Sequence, residues 1–357
     1  MVDKIKSTCR YVVDNSKYVT INYAKLDEFI NDIEYDNLKN CLLFNPYNLL
    51  ELDIETIINF LLIFESIDYS FWGQPKWEIN TEEGIKDGSD ALLYTMIKYV
   101  KETRSTDFSN LSLNQFKELL KGNVDIPLLE ERYATIINIS RTVNERMNGS
   151  FYKFIKDINL DTKLFDTIIN NFESFKDERV YNGKTIYFYK LAQLLTSDIL
   201  HIREKLENIS VDYSNLIGCA DYKIPQTLRA LGIVEYNAEL SGIVDQRNEL
   251  EVSSKYEVEI RASQIVVIDY ISNILINANP IDINDFIFVY SKRVKSIVKP
   301  YHLCRNANYW YNLQLMSRVK TYSLYFCEYY EQLFTNQKIC AIMSINYSMI
   351  GGIKVGK

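Results

Sequence analysis

The sequence predicts a mainly α-helical protein that includes a small β-hairpin element. Apolar residues recur at three- and four-residue spacing through most of the chain, which is the pattern of helices with one buried face. Capping residues stand before several of these runs, and strand signals are few. The expected helices span residues 26–33, 54–64, 91–100, 113–120, 128–147, 165–175, 187–206 and 263–276.

Polar residues with short side chains mark where several helices are expected to begin. Ser89 or Asp90 precedes the run that starts at residue 91, and Ser112 precedes the run at 113. Such side chains accept hydrogen bonds from the backbone N–H groups that the first helical turn leaves without partners. By the same signal, Asn284 or Asp285 is expected to open a late helix.

Two segments predict short antiparallel strand pairs. Residues 180–186 carry Asn182-Gly183 at their centre, and Asn-Gly favours the tight turn of a β-hairpin. A second pair is expected around residues 70–78. The polar segment 235–254 is rich in turn-forming residues, so we expect a surface loop there, beside the functional site.

No internal repeat or Gly/Ser-rich linker divides the chain of 357 residues. Residues 1–310 are therefore expected to form one domain, since the length is within the range of a single large core. Residues 311–357 have no clear amphipathic period, and we expect them to form a C-terminal extension whose role the sequence does not indicate.

Charge and composition favour a small-molecule ligand. The net charge is −7 and no Lys/Arg-rich block is present, which disfavours direct binding to nucleic acid. The longest apolar run, 57–64, is too short to span a membrane. Six dispersed cysteines and two histidines form neither a zinc motif nor a disulfide framework, so no metal or cofactor is expected. Without a secretory signal, the expected location is the cytoplasm.

Asp221 is the strongest candidate for a catalytic group. It lies before an expected helix that carries Pro225 in its first turn. One reading places its carboxylate at the mouth of a pocket, where a negative charge stabilises the positive charge that develops on a sugar ring when a glycosidic bond breaks. The alternative is a helix cap, which is the commonest role of Asp at this position.

Several other charged residues are candidates for substrate contacts or for structural roles. Lys190 is either a contact for a substrate phosphate or a solvated helix lysine, and Arg305 suits a phosphate. Asp285 either receives the N–H donors of a guanine-like base or caps its helix. The charges of the block 257–261 (Glu257, Glu259 and Arg261) are expected to form a structural ion pair rather than a catalytic dyad, which would hold the segment of Asp221 against a neighbouring helix.

Three blocks, 188–193 (Phe-Tyr-Lys-Leu-Ala-Gln), 220–229 and 257–262, resemble the queuosine salvage family, and the similarity extends over most of residues 8–310. The aromatic turn that begins Ser-Phe-Trp at residue 70 and the Asp-Ile-Pro-Leu-Leu-Glu-Glu-Arg segment at 125–132 belong to it. The resemblance implies a helical fold related to helix-hairpin-helix DNA glycosylases. It also implies hydrolysis of queuosine 5′-phosphate to queuine, for salvage into tRNA modification, and ribose 5-phosphate.

By this resemblance Asp221, in the Ala-Asp-Tyr motif, is the catalytic residue. Positions that line the base pocket in the family fall at Cys219, Tyr222, Asp285, Phe286 and Tyr290. Cys219 stands where the family favours Phe, and Tyr290 where it favours Asp. Two alternatives stay open: a nucleotide-binding protein with relaxed catalysis, and a glycosylase that acts on another modified nucleotide or on DNA or RNA.

Overall fold

The computed structural model describes residues 1–33, 46–293 and 299–307, and their architecture is mainly helical with small antiparallel strand pairs. The helices are α1 Val2–Asp14, α2 Tyr23–Asn31, α3 Ile54–Ser66, α4 Gly88–Thr103, α5 Leu113–Leu119, α6 Leu129–Arg146, α7 Phe151–Ile155, α8 Leu160–Asn171, α9 Lys190–Glu207, α10 Lys223–Ala230, α11 Ala238–Asp245, α12 Lys255–Ile274 and α13 Pro280–Arg293. The strands are β1 Val19–Ile21, β2 Glu78–Thr81, β3 Gly84–Asp87, β4 Glu178–Tyr181, β5 Lys184–Tyr187 and β6 Val234–Tyr236. Residues 308–357, and with them the whole of the expected extension, lie outside the described residues.

Side-chain caps explain why several helices begin where the sequence predicts. The Asp53 side chain accepts a hydrogen bond from the N–H of Thr56 at the start of α3. Ser112 and Gln115 form a reciprocal capping box at the start of α5. These two starts are confirmed. The cap expected at Ser89 or Asp90 is wrong, because α4 already begins at Gly88.

Three expectations for the second half of the chain are wrong. α12 begins at Lys255 instead of residue 263, because Ser254 caps it by accepting from the N–H of Glu257. α13 begins at Pro280, so neither Asn284 nor Asp285 opens it. The segment 235–254 is not a plain loop, since it contains the end of β6 and the whole of α11.

The strand pairs are partly as predicted. β4 and β5 form the expected hairpin, and Asn182 and Gly183 in its turn both have positive φ (48° and 79°). The second pair is β2–β3 at residues 78–87, so its expected position at 70–78 is wrong. A third pair, β1–β6, joins residues far apart in sequence, with Val19 opposite Tyr236. Such pairing leaves no local sequence signal.

Helices α9 and α12 lie at the centre of the described structure. α3 and α8 pack against α9, whereas α1, α10 and α13 pack against α12. Both central helices bury polar side chains as well as apolar ones, among them Lys190, Gln193, Arg261 and Gln264. Buried polar groups need partners, and these partners are found in the site described below. No helix in the described ranges is both long and apolar enough to cross a membrane.

Candidate active site

An extended segment, residues 217–221, carries Asp221 between three helices. Gln193 of α9 accepts hydrogen bonds from the backbone N–H groups of residues 217 and 218, at 2.8 and 3.1 Å. Asn284 of α13 accepts from the N–H of Cys219 at 2.9 Å. These backbone groups are buried and have no strand partner, so the side-chain amides satisfy them. The segment is thereby fixed without belonging to a sheet.

Asp221 itself is buried, and two hydrogen bonds show its local role. Its Oδ1 accepts from the N–H groups of Lys223 and Ile224, at 2.9 and 3.1 Å, at the start of α10. The carboxylate thus satisfies the first N–H groups of α10, as the cap reading expects, although the residue at the N-cap position itself is Tyr222. Both bonds reach the same oxygen, so capping through Oδ1 and a substrate contact through Oδ2 are compatible.

A buried ion network holds the residue before Asp221. Nε of Arg261 donates to the carbonyl oxygen of Ala220 at 3.2 Å. Its guanidinium makes two contacts with Asp177, and Nη1 lies 3.0 Å from Oδ1 in one of them. The same Nη1 lies 3.3 Å from Oε1 of Glu257. Arg179 approaches Glu257 at 3.4 Å. The ion pair predicted from the sequence is confirmed, together with its contact to the segment of Asp221.

Around Lys190, at the start of α9, lies a group of acidic side chains. Lys190 is fully buried, so its reading as a solvated lysine is wrong. Its ammonium interacts electrostatically with Asp68, Glu65 and Asp221, and with the thiol of Cys219. Glu65 lies in the last turn of α3 and Asp68 just beyond that helix. Three distant segments thus meet at one buried site.

Burial raises the pKa of each acid in this group, because a low-dielectric interior disfavours the charged form. The pKa of Asp221 rises to about 6, and the backbone hydrogen bond from Ile224 and the charge of Lys190 limit that rise. Asp68 and Asp198 likewise have pKa values raised by burial to about 6. Asp221 is therefore mostly ionised at pH 7, as a carboxylate that stabilises a cation must be.

Glu65 and Asp198 share a hydrogen bond between their carboxyl groups. Burial, and then the neighbouring charges of Asp198 and Asp68, raise the pKa of Glu65 well above its usual range. A hydrogen bond between two carboxyl groups requires that one of them be protonated. Of the two carboxyl groups the proton is favoured on Glu65, since their hydrogen bond raises the pKa of Glu65 and lowers that of Asp198.

Asp285 lies within α13 on the side of these acids. Because its helix begins at Pro280, the cap reading is wrong. Its Oδ1 accepts from the Nδ2 of Asn284 at 3.0 Å. Burial raises the pKa of Asp285 to about 7, and the charges of Asp198 and Asp221 contribute to the rise. Asp285 therefore shares the electrostatic environment of Asp221.

Cys219 and Tyr222 flank Asp221 and are both buried. Burial raises the pKa of the Cys219 thiol well above its usual range, so the thiol stays neutral. The ring of Tyr222 lies 4.7 Å from that of Tyr301, centroid to centroid. Burial, and then Tyr301 and the charges of Asp221 and Asp68, raise the pKa of the Tyr222 phenol.

Phe286 and Tyr290 form an aromatic contact between α13 and α2. Their ring centroids lie 6.3 and 6.0 Å from that of Phe29, and 6.1 Å from each other. Phe286 is buried and Tyr290 is half-buried. The two side chains therefore support the packing of α2 against α13.

Arg305 lies over the aromatic turn at 70–77. Its guanidinium carbon is 4.1 Å from the ring centroid of Trp72, and Nε is 3.7 Å from a carboxylate oxygen of Glu249. Phe71 in the same turn is buried and stacks on Trp77 at 6.4 Å. The turn thus places one aromatic residue in the core and presents another to an exposed cation.

Sequence reasoning missed Glu65, Asp68 and Gln264. A signal existed for Glu65, since an acid in the last turn of a helix is disfavoured by the helix dipole and here follows an almost wholly apolar run. Asp68 and Gln264 gave no local signal. Within residues 1–33, 46–293 and 299–307, no group of three or more His, Cys, Asp and Glu side chains could hold a metal ion.

Comparison with known proteins identifies relatives. The family model of the queuosine salvage protein matches residues 49–311. A protein of Sphaerobacter thermophilus is 31% identical over 217 residues, which cover 59% of this chain and 67% of that protein. A relative from Mus musculus is 28% identical, and the match covers 66% of this chain and 75% of that protein. A relative from Dictyostelium discoideum is 26% identical, and the match covers 74% of this chain and 84% of that protein. All three are named queuosine 5′-phosphate N-glycosylase/hydrolase.

Proposed function

Because the chain belongs to the queuosine salvage protein family, we propose that it hydrolyses the N-glycosidic bond of queuosine 5′-phosphate and releases queuine for salvage into tRNA modification. The observation that carries the proposal is the buried, rigidly held carboxylate of Asp221 in the family's motif. The products are queuine and ribose 5-phosphate, since water adds to C1′ as the bond to the base breaks.

Asp221 is proposed to act on the sugar. As the bond from C1′ to the base nitrogen lengthens, positive charge develops on the ribose ring, and an adjacent carboxylate in a dry site stabilises that charge more than water would. A 7-deazaguanine base has no N7 to accept a proton, so stabilisation of the sugar cation must supply more of the rate enhancement.

The base is proposed to lie against Cys219, Tyr222, Asp285, Phe286 and Tyr290. A carboxylate at position 285 suits the N1–H and 2-amino donors of a guanine-like ring. The aromatic residues of α13 offer faces for stacking. A Cys in place of Phe and a Tyr in place of Asp change the shape and charge of this pocket relative to the family.

The phosphate is proposed to meet Arg305, whose guanidinium is part-exposed above Trp72. Lys190 is buried among Asp68, Glu65 and Asp221, where a phosphate dianion would be repelled. We therefore propose that Lys190 does not contact the phosphate and acts on the reaction through the neighbouring carboxylates. Its positive charge keeps the pKa of Asp221 lower than burial alone would make it.

The domain, the fold relation, the ligand class and the location expected from the sequence are also proposed. The activity is assigned to a domain of residues 1–310, with a fold related to helix-hairpin-helix DNA glycosylases and no bound cofactor. The substrate is the free nucleotide, and direct contact with nucleic acid or a membrane is not part of the mechanism. Free, buried thiols at Cys9 and Cys219 support a reducing, cytoplasmic location.

Incubation of the purified chain with queuosine 5′-phosphate, followed by mass spectrometry of free queuine, tests the proposal. Release of queuine with an equal amount of ribose 5-phosphate is the expected result. Thermal stabilisation by the nucleotide without release would instead identify a binding protein. A queuosine-containing oligonucleotide is the control for the polynucleotide alternative, and we expect no release of queuine from it.

A further inference from the structure

Asp68 is a fully buried carboxylate whose charge the protein does not satisfy by hydrogen bonding. Its exposed fraction is 0%. Neither carboxylate oxygen has a hydrogen-bond partner within the described part of the chain. The hydroxyl of Ser89 is close enough to lower the pKa of Asp68, yet the geometry of the pair is not that of a hydrogen bond. A buried charge in this state is costly, so a role other than folding is indicated.

Asp177 is a buried carboxylate with a structural role, and it serves as a comparison for Asp68. Asp177 is equally buried, and its two oxygens receive the guanidinium of Arg261 while Arg179 approaches at 3.2 Å. Those charges lower the pKa of Asp177 despite its burial. Asp68 has no such bidentate partner, and burial raises its pKa. The two buried aspartates therefore differ, since only Asp177 is held by hydrogen-bonded ion pairs.

The backbone around Asp68 is nevertheless fixed. The guanidinium of Arg132, itself fully buried, donates to the carbonyl oxygens of Ile67 and Tyr69, on either side of Asp68. Its carbon also lies 4.4 Å from the ring centroid of Tyr69. A carboxylate held this way does not have to reorganise when a ligand arrives, which is a feature of binding and catalytic groups.

Asp68 and Asp221 share two neighbouring side chains. The ammonium of Lys190 and the phenol of Tyr222 each interact electrostatically with both carboxylates. Asp221 enters from the segment before α10, and Asp68 from the loop after α3. Two carboxylates with shared neighbours attract hydrogen-bond donors and repel a phosphate.

We propose that Asp68 is a second substrate-contacting carboxylate, which accepts a hydrogen bond from a hydroxyl group at the sugar. This inference rests on the proposed function. Two sources supply that chemistry: a ribose hydroxyl, or the water that attacks C1′. In the second case Asp68 takes a proton from the water while the water oxygen forms a bond to C1′. The C1′–N bond breaks, and the base departs with the electron pair of that bond.

The test compares the wild type with Asp68→Asn and Asp166→Asn. Asp166, half-buried on α8, also has an oxygen without a hydrogen-bond partner and serves as the matched control. We expect Asp68→Asn to lose at least ~10²-fold in kcat/KM on queuosine 5′-phosphate. Its Tm should equal or exceed that of the wild type, because a buried charge is removed. Asp166→Asn should behave as the wild type.

Two further substrates separate the sources of the hydroxyl. If Asp68 binds ribose, the wild type discriminates against the 2′-deoxy or 3′-deoxy nucleotide, and Asp68→Asn does not. If Asp68 acts on water, all substrates lose the same factor in kcat, and the ratio of methyl riboside to ribose products in methanol changes. Wild-type kcat/KM in Asp68→Asn on every substrate would overturn the proposal.

A binding measurement distinguishes failure of this inference from failure of the proposed function. If the wild type releases no queuine, the proposed function fails, and the rise in Tm on adding queuosine 5′-phosphate then reports on Asp68. A rise in Tm in the wild type that Asp68→Asn lacks would support the contact. An equal rise in both proteins, or none in either, would overturn it.

Discussion

The side-chain oxygen of Gln264 lies 3.0 Å from the backbone nitrogen of Asp221, and the side-chain nitrogen of the same residue donates to the carbonyl oxygen of Cys219. One amide of α12 therefore holds the backbone on both sides of Ala220. Arg261, one turn earlier on the same helix, holds the carbonyl of Ala220 itself. The position of the proposed catalytic carboxylate is set by the central helix and not by the loop that carries it.

Replacing Gln264 by Leu should lower both stability and turnover. The change leaves two buried backbone groups without partners, at a cost of about 1–3 kcal/mol each. Because Asp221 then loses its fixed position, we expect kcat to fall more than KM rises. Gln246→Leu, in an exposed turn, is the control and should leave both kinetic constants unchanged. A Gln264→Leu enzyme with lowered Tm but full kcat would show that Gln264 is only structural.

Gly218→Ala should displace the segment that carries Asp221. Gly218 has φ +104°, and an added Cβ would lie 2.9 Å from Oδ1 of Asn284 and 3.0 Å from Cδ1 of Ile268. Both the strain and the clash predict a lower Tm and a large loss of activity. Gly242→Ala is the control, because a Cβ there meets nothing within 4 Å. The prediction is wrong if the two variants have equal Tm and equal kcat.

Activity should decline in acid as Asp221 is protonated. Burial raises its pKa to about 6, so the carboxylate that stabilises the sugar cation is lost progressively below that pH. We expect kcat/KM for queuosine 5′-phosphate to be highest near pH 8, where Asp285 with its pKa of about 7 is ionised as well, and to fall at least tenfold per unit well below pH 6. A pH–rate profile that is flat from pH 8 to 5 would contradict this role.

Stability should respond to pH through Asp68 in the opposite direction. Its folded pKa, about 6, exceeds the ordinary value of 3.8, so the folded protein binds this proton more tightly than the unfolded chain. The resulting stabilisation is fully present below pH 3.8 and is lost as the pH rises through about 6. Asp68→Asn removes this dependence, so its Tm advantage over the wild type should be larger at pH 7.5 than at pH 5. The histidines titrate alike in both proteins and cancel in the comparison.

Local signals predicted a large part of the fold. Ser112 indicated a helix start through its cap, and Asn182-Gly183 indicated a hairpin, because each acts through neighbours in sequence. The start of α12 was missed for the opposite reason. Glu257 and Arg261 are buried, and their alternation with apolar residues resembles a strand until their partners from other segments are known.

The site was predictable only in part for the same physical reason. Asp221 and Asp285 stand in motifs that can be read along the chain. Glu65 and Asp68 acquire their character from burial and from Lys190, which lies far from them in sequence and against them in the fold. A raised pKa is a property of surroundings, and spacing does not encode it.

The most direct test of the central claim is the single-turnover rate of queuine release by Asp221→Asn, with Tm measured alongside. Asn caps a helix as well as Asp does, so we expect a Tm near that of the wild type and a rate at least ~10²-fold lower. Asp53→Asn, which alters the cap of α3, controls for capping and should retain the wild-type rate. Release of queuine by Asp221→Asn at the wild-type rate would contradict the account.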